Sequence, residues 1–215
     1  MASPLLSRVS FRGFTLVELS ISLAIMGFMM AILLYRYPDT SMRLSLANIT
    51  HKTALLVREA QVRGSAVDSI NSSLGGYGLF VSLASSSQII LFGDSVDSNV
   101  PKPYGLTVGN GLYETSPLDE TKTTTTFPNG YIIKKLCILP QGQSTFLCNS
   151  NYSPTIQTLT ISFTRPNPQP NIYINNSQTT SFSAACIELN SPRAPIAGHI
   201  RSVQVYNSGM IRSQT

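Results

Sequence analysis

Two hydrophobic periods divide this chain of 215 residues. Near the N-terminus the apolar pattern is continuous. Residues 19–35 are 17 positions without a charge, and counted from Phe14 the run is 22 residues broken only by Glu18. That length suits a helix crossing a bilayer, for which roughly 17–25 residues are needed. A secretory signal would have a shorter apolar core, about 7–15 residues, before a small-residue cleavage site, and neither feature fits. Tyr35 and Tyr37 bracket Arg36 where such a span meets the membrane surface, a common place for amphipathic rings. Pro38 lacks a backbone N–H and is expected to kink or loosen the helix. A helical period then resumes, with Leu46, Ile49, Thr53, Leu56 and Ala60 at three- and four-residue steps. Arg43, Lys52, Arg58 and Arg63 lie largely off that stripe, as on a solvated face. Gly64 and the polar run "DSINSSLGG" are expected to end the helix.

Beyond residue 75 the period falls to two. "YGLFVSL" (77–83) and "QIILFGD" (88–94) read as a hairpin, and "YIIKKLCIL" (131–139) as a further strand. "TLTISF" (158–163) alternates cleanly, placing Leu159, Ile161 and Phe163 on one face and Thr158, Thr160 and Ser162 on the other. "NIYIN", "AACIEL" and "RSVQVY" complete the set, and "NSG" turns the chain toward "MIRS". Residues 95–130, rich in Pro, Gly, Thr and acids, read as a long loop. A sheet with one polar face, packed on the second half of a long helix, is an α+β arrangement.

Composition removes most enzymatic classes. His51 and His199 are the two histidines, far apart in sequence, and no Ser-His-Asp, Cys-His or G-x-S-x-G arrangement stands out. Neither a phosphate-cradling loop nor a dinucleotide fingerprint occurs, so no cofactor is expected. With no C-x-x-C pair, Cys137, Cys148, Cys186 and His199 make a poor zinc set, and no metal is expected. The chain reads as a substrate or a structural protein rather than an enzyme.

The informative residue is Glu18. A carboxylate inside a membrane span costs a few kcal/mol, and residues 14–35 contain no basic side chain to offset it. Cleavage between Gly13 and Phe14 would create an α-amine about one helical turn from Glu18, or available to the Glu18 of a neighbouring subunit. The segment "RGFTLVELSISLAIMGF" resembles the cleavage and methylation signature of type IV prepilins and type II secretion pseudopilins. The resemblance implies an inner-membrane prepilin peptidase that cuts after Gly13 and methylates Phe14, with Glu18 used in assembly. It implies a pilin-like fold, a cytoplasmic leader, an exported C-terminal part, and other pilin or pseudopilin subunits as partners. The domain expectation is then a leader at 1–13, a membrane and assembly helix at 14–37, its amphipathic continuation at 38–66, and a β-rich domain at 67–215. Arg8 and Arg12 before the span and Arg36 and Arg43 after it leave orientation undecided by charge alone. Gly27 and Ala31 form a small-xxx-small pair that suits close approach of another helix, or are ordinary membrane-helix residues. Further along, "ALLVREAQVRGSAV", "GYGLFVS", "IILFGD" and "RSVQVYNSGMI" are similar to the minor-pseudopilin H or FimT-like branch.

Two features remain open. Cys137 and Cys148 enclose ten residues with a Pro-Gln-Gly turn, a spacing that suits a disulfide-closed hairpin worth about 2–3 kcal/mol. The alternatives are Cys186 bonded to either one, or three buried thiols. Charge is also uneven: residues 65–120 hold six acids and one base, whereas 121–215 hold seven bases and one acid. That asymmetry fits solvated faces, head-to-tail packing of subunits, or an acidic polymer such as DNA. Lys134, Lys135, Arg201 and Arg212 are the candidate anion or DNA contacts, without a dense basic tail. The main reading is a filament subunit. Its rivals are a DNA-binding minor pilin and a membrane-anchored β domain that never assembles.

Overall fold

The computed structural model describes residues 13–66, 69–70, 73–74, 76–94, 109–115, 120–128, 130–164, 167–177 and 182–214. The leader through residue 12, and residues 95–108 and 116–119 of the expected loop, lie outside the described residues. One helix, α1 (Leu16–Ser65), opens the described chain. A short ladder follows, β1 (Ser69–Ile70) with β2 (Ser73–Leu74), inside the polar run expected only to end the helix. The other described strands are β3 (Tyr77–Ser82), β4 (Gln88–Gly93), β5 (Thr121–Thr126), β6 (Ile132–Pro140), β7 (Leu147–Cys148), β8 (Thr158–Thr164), β9 (Asn167–Ile174), β10 (Phe182–Asn190), β11 (Ile200–Tyr206) and β12 (Ile211–Gln214). They make two five-stranded sheets, ordered β5-β4-β3-β8-β9 and β12-β11-β10-β6-β7, antiparallel throughout. The architecture is the α+β, pilin-like one: a long N-terminal helix with antiparallel sheets in the C-terminal region. What the alternation did not reveal is that the strands divide between two sheets.

The chain separates into two units, Met1–Ser41 and Met42–Thr215. In the first, the large apolar side chains from Phe14 to Tyr37 are all exposed by half or more. Residues 16–37 rise about 33 Å as a helix, close to the roughly 30 Å hydrocarbon thickness. Pro38 lies inside α1, which continues through it. Its missing N–H removes one backbone bond, that to the Leu34 carbonyl, and one absent bond does not end a helix whose neighbouring turns are formed.

In the second unit the three-four stripe of α1 is the buried one. Leu46 and Ala60 are fully enclosed, and Ile49, Thr53, Leu56 and Val57 are buried with them. Thr50 and Thr53 donate their hydroxyls to the carbonyls of Leu46 and Ile49, at 2.7 and 2.9 Å, so their burial strands no polar group. The stripe joins one apolar cluster with residues of both sheets, among them Leu79, Leu91, Ile161 and Phe163 of the first and Leu136, Ala185, Ile187 and Val203 of the second. Gly64 closes this contact. A β-carbon there would lie 2.8 Å from Phe163 Cβ and overlap the Phe163 carbonyl, so the helix approaches β8 only because the residue has no side chain. Gln61 adds a hydrogen bond from its Nε2 to the Gly209 carbonyl in the β11–β12 turn, at 3.2 Å.

The polar face of β8 departs from expectation. Thr160 and Ser162 are as buried as the Leu159, Ile161 and Phe163 that alternate with them. Part of the cover, over Ser162, comes from the stretch expected to be a plain loop. Residues 121–126, "TKTTTT", form edge strand β5, because β-branched threonine fits the pleated surface beside β4. Residues 109–115 lie over the outer face of the same sheet. Tyr113 stacks on Phe80 and Phe92 with ring centroids 4.8 and 5.7 Å apart, and a side chain at Gly111, whose φ is +77°, would meet Tyr173 Oη and Ser162 Oγ.

Beneath this cover sits Asp94, fully buried. Its Oδ2 accepts the Gly111 N–H at 2.9 Å, and its backbone N–H donates to the Gly76 carbonyl at 2.9 Å. Burial pushes its carboxyl up to about 7, with the nearby Glu120 and Glu114 adding to the rise and the Gly111 and Asn110 backbone N–H groups opposing it. A group raised in the folded state binds more protons folded than unfolded. Its stabilising contribution is therefore complete below about pH 4 and is lost as pH rises through about 7, at no more than about 1.4 kcal/mol per pH unit.

Two predictions follow from this packing, both read by urea unfolding of a chain beginning at residue 38, which keeps the Met42 carbonyl that Tyr131 Oη bonds. That chain is expected to fold as a monomer, and in it Gly64→Ala lowers stability by about 1–3 kcal/mol through overpacking. The sign is opposite to the gain of up to about 1 kcal/mol that alanine brings in an open helix; a stabilised Gly64→Ala variant would remove the close approach from the account. Asp94→Asn, which mimics the protonated acid, is expected to flatten the pH dependence between about 4 and 7. Parallel stability–pH curves for the variant and the parent would show that Asp94 is not the group that titrates.

Candidate functional site

The start of α1 explains how the carboxylate in the apolar segment is accommodated. Thr15 is the N-cap, because α1 begins at the next residue. Its hydroxyl accepts the Glu18 N–H at 3.2 Å, while Glu18 Oε2 accepts the Thr15 N–H at 2.9 Å and the Thr15 hydroxyl at 2.8 Å. This is a reciprocal capping box, T-x-x-E, satisfying donors that a helix N-terminus otherwise leaves without partners. The negative charge also faces the positive end of the helix dipole. The signal is present in the sequence as "TLVE" at 15–18, a local partner for the acid in addition to any cation.

Within the apolar run the remaining polar groups are closed internally. Ser20 Oγ donates to the Val17 carbonyl at 2.9 Å and Ser22 Oγ to the Glu18 carbonyl at 2.8 Å, as a hydrocarbon environment demands of every polar group. Gly13 is exposed, with no atom within 4 Å of the position a β-carbon would take, and Phe14 is 86% exposed. The peptide bond between them is open to an approaching enzyme. Gly27 is likewise unobstructed, and Ala31, one turn on, is exposed with it.

The other candidate residues lie on the sheet β12-β11-β10-β6-β7. A disulfide joins Cys137 of β6 to Cys148 of β7, and Cys186 of β10 is a buried free thiol. Burial pushes that thiol up to about 11, partly offset by its hydrogen bond with Ser202. The four candidate basic residues do not form one patch. Lys135 Nζ pairs with Glu188 Oε2 at 3.1 Å, and Arg201 stands opposite Leu189 with its Nε enclosed. Lys134 and Arg212 are exposed, but the strands carrying them, β6 and β12, have β10 and β11 between them.

His51 is exposed on α1, whereas His199 is fully buried and its Nδ1 lies 2.6 Å from the Ser191 hydroxyl. With Ser191 buried as well, that bond closes the turn between β10 and β11 and offers no reachable nucleophile. Among the described residues no group of three or more His, Cys, Asp or Glu is placed to hold a metal ion.

Among the described residues one helix, α1, is long and apolar enough to cross a membrane. No curated protein and no solved structure matches the chain. Residues 8–34 match the family model described as the prokaryotic N-terminal methylation motif. That span holds Gly13, Phe14, the Thr15–Glu18 capping box and most of the apolar run; the match points to a prepilin-type substrate of prepilin peptidase, and with the apolar helix it is consistent with a membrane-anchored chain.

Proposed function

We propose that the protein is a structural subunit of a type IV pilus or a type II secretion pseudopilus, cut between Gly13 and Phe14 and assembled through the first half of α1. The observation that carries this reading is a coincidence at one place. The methylation motif at residues 8–34 overlies a helix whose large apolar side chains are all exposed. Apolar surface on that scale needs lipid or other helices around it. After cleavage, the Phe14 amine would stand beside the Glu18 carboxylate, in the same chain or the next. The capping box holds that carboxylate at the helix start, ready for a cation, and neutralisation lowers the cost of keeping it in hydrocarbon. The central and C-terminal stretches quoted above support the minor-pseudopilin H or FimT-like branch within this reading. A DNA-binding role has less behind it, because Lys135 is engaged by Glu188 and the exposed Lys134 and Arg212 stand apart.

Processing is tested directly. Protein isolated from membranes should begin at Phe14 and carry one N-methyl group, as read by intact mass and the N-terminal peptide. A mature chain retaining residues 1–13 would overturn the assignment of the cleavage site.

Charge and capping at Glu18 are separable by substitution. Glu18→Gln keeps an acceptor within reach of Thr15 but removes the charge, whereas Thr15→Val keeps the charge and removes the capping hydroxyl at a cost of about 1 kcal/mol. If Glu18 pairs with an amine, Glu18→Gln and Glu18→Ala should both insert normally yet lose incorporation into filaments by about tenfold or more, equivalent to about 1.4 kcal/mol. Thr15→Val should lose less. Full incorporation of Glu18→Gln would reduce the role of Glu18 to capping alone.

A further inference from the structure

The three cysteines form a row. In the register of the second sheet, Cys186 of β10 stands directly opposite Cys137 of β6, and Cys137 stands directly opposite Cys148 of β7. Directly opposed residues of antiparallel strands point to the same face, with α-carbons about 4.5–5.5 Å apart. Cys137 is therefore flanked on both sides by cysteines at a separation a disulfide accepts, although only Cys148 is bonded to it. Cys148 and Cys186 have a whole strand between them, about 10 Å, which is beyond disulfide reach.

From this row we propose that Cys186 is a resident exchange partner for the Cys137–Cys148 disulfide, able to move the bond from the β6–β7 edge to the β6–β10 pair inside the sheet. The step is an exchange without net redox change. The Cys186 thiolate attacks Cys137 Sγ, a Cys137–Cys186 bond forms, and the Cys137–Cys148 bond breaks. The electron pair leaves on Cys148 Sγ, which takes up the proton that Cys186 gave up. One thiol and one disulfide stand on each side of the equation, so no oxidant or reductant is consumed. The consequence is positional: the free thiol passes from a buried site on β10 to Cys148, which is only partly buried on the edge strand β7. There it becomes available to a reagent or another protein. Burial of Cys186 keeps its thiolate scarce near neutrality, so the exchange is slow there and accelerates with pH.

The test uses the full-length chain in detergent and maps disulfides by mass spectrometry after alkylation at low pH. Cys148→Ser, oxidised in air, should yield a Cys137–Cys186 bond within the monomer, whereas Cys137→Ser should yield no bond within the monomer. In the unsubstituted protein a peptide pair linking Cys137 to Cys186, with alkylated Cys148, should accumulate about a hundredfold faster at pH 9 than at pH 7, following the thiolate fraction. Cys186→Ser should abolish it. Cys137 and Cys186 both remaining free thiols in the Cys148→Ser variant, with no Cys137–Cys186 peptide from the unsubstituted protein at pH 9, would overturn the proposal. A Cys148–Cys186 bond in Cys137→Ser would overturn it as well, because the register forbids that pair.

Discussion

At Gly64 the helix comes so close to the backbone of Phe163 that a β-carbon would overlap it, and the seating of α1 on the sheets depends on that approach. It seats the last turn of α1 on β8, between β3 and β9 of the first sheet, and the stripe from Leu46 to Ala60 joins side chains of both sheets in one cluster. Strands alone would leave each sheet with an apolar face open to water. The helix stripe supplies part of what those faces need, and buried threonines join it because their hydroxyls bond back to the helix carbonyls. Packing at this distance tolerates no added methyl group, since protein interiors are filled to crystal-like density.

At the other end of the same helix the constraint is reversed. Among the described residues nothing covers the apolar side chains of the first unit. A segment of this kind needs every polar group answered locally, and the sequence does so economically. Thr15 and Glu18 cap each other, and Ser20 and Ser22 bond to carbonyls of the turn before them. What local structure cannot answer is the formal charge on Glu18. In the proposed reading, that charge is met by a cation supplied by processing or by a neighbouring subunit.

The outer surfaces of the two sheets are used differently. On the first, residues 109–115 lie against Phe80, Phe92 and Ser162, burying Asp94 where its proton is held up to about neutral pH. On the second, the register places the three cysteines in line beside the Lys135–Glu188 pair. The acidic segment is thus partly an internal feature of the fold, and the four candidate basic residues are divided among an ion pair, an arginine with its Nε enclosed and two separated exposed side chains.

Local pattern determined what depends on neighbours in sequence. Continuous apolarity marked the first half of α1, the three-four step marked its buried stripe, and period-two runs located β3, β4, β6 and β8 through β11. The capping box was legible too, since an N-cap threonine and an acid three residues on are a purely local pairing. Only the tertiary structure decided how the strands divide into two sheets, because that division depends on long-range pairing between segments such as β6 and β10 that no local period encodes. It also decided that Thr160 and Ser162 are interior: alternation tells which side chains share a face, whereas burial depends on what chain returns to cover it. The same holds for the cysteines. Spacing suggested Cys137 with Cys148, but the place of Cys186 beside them follows from the register of β10 against β6, which is set by the packing of the whole sheet.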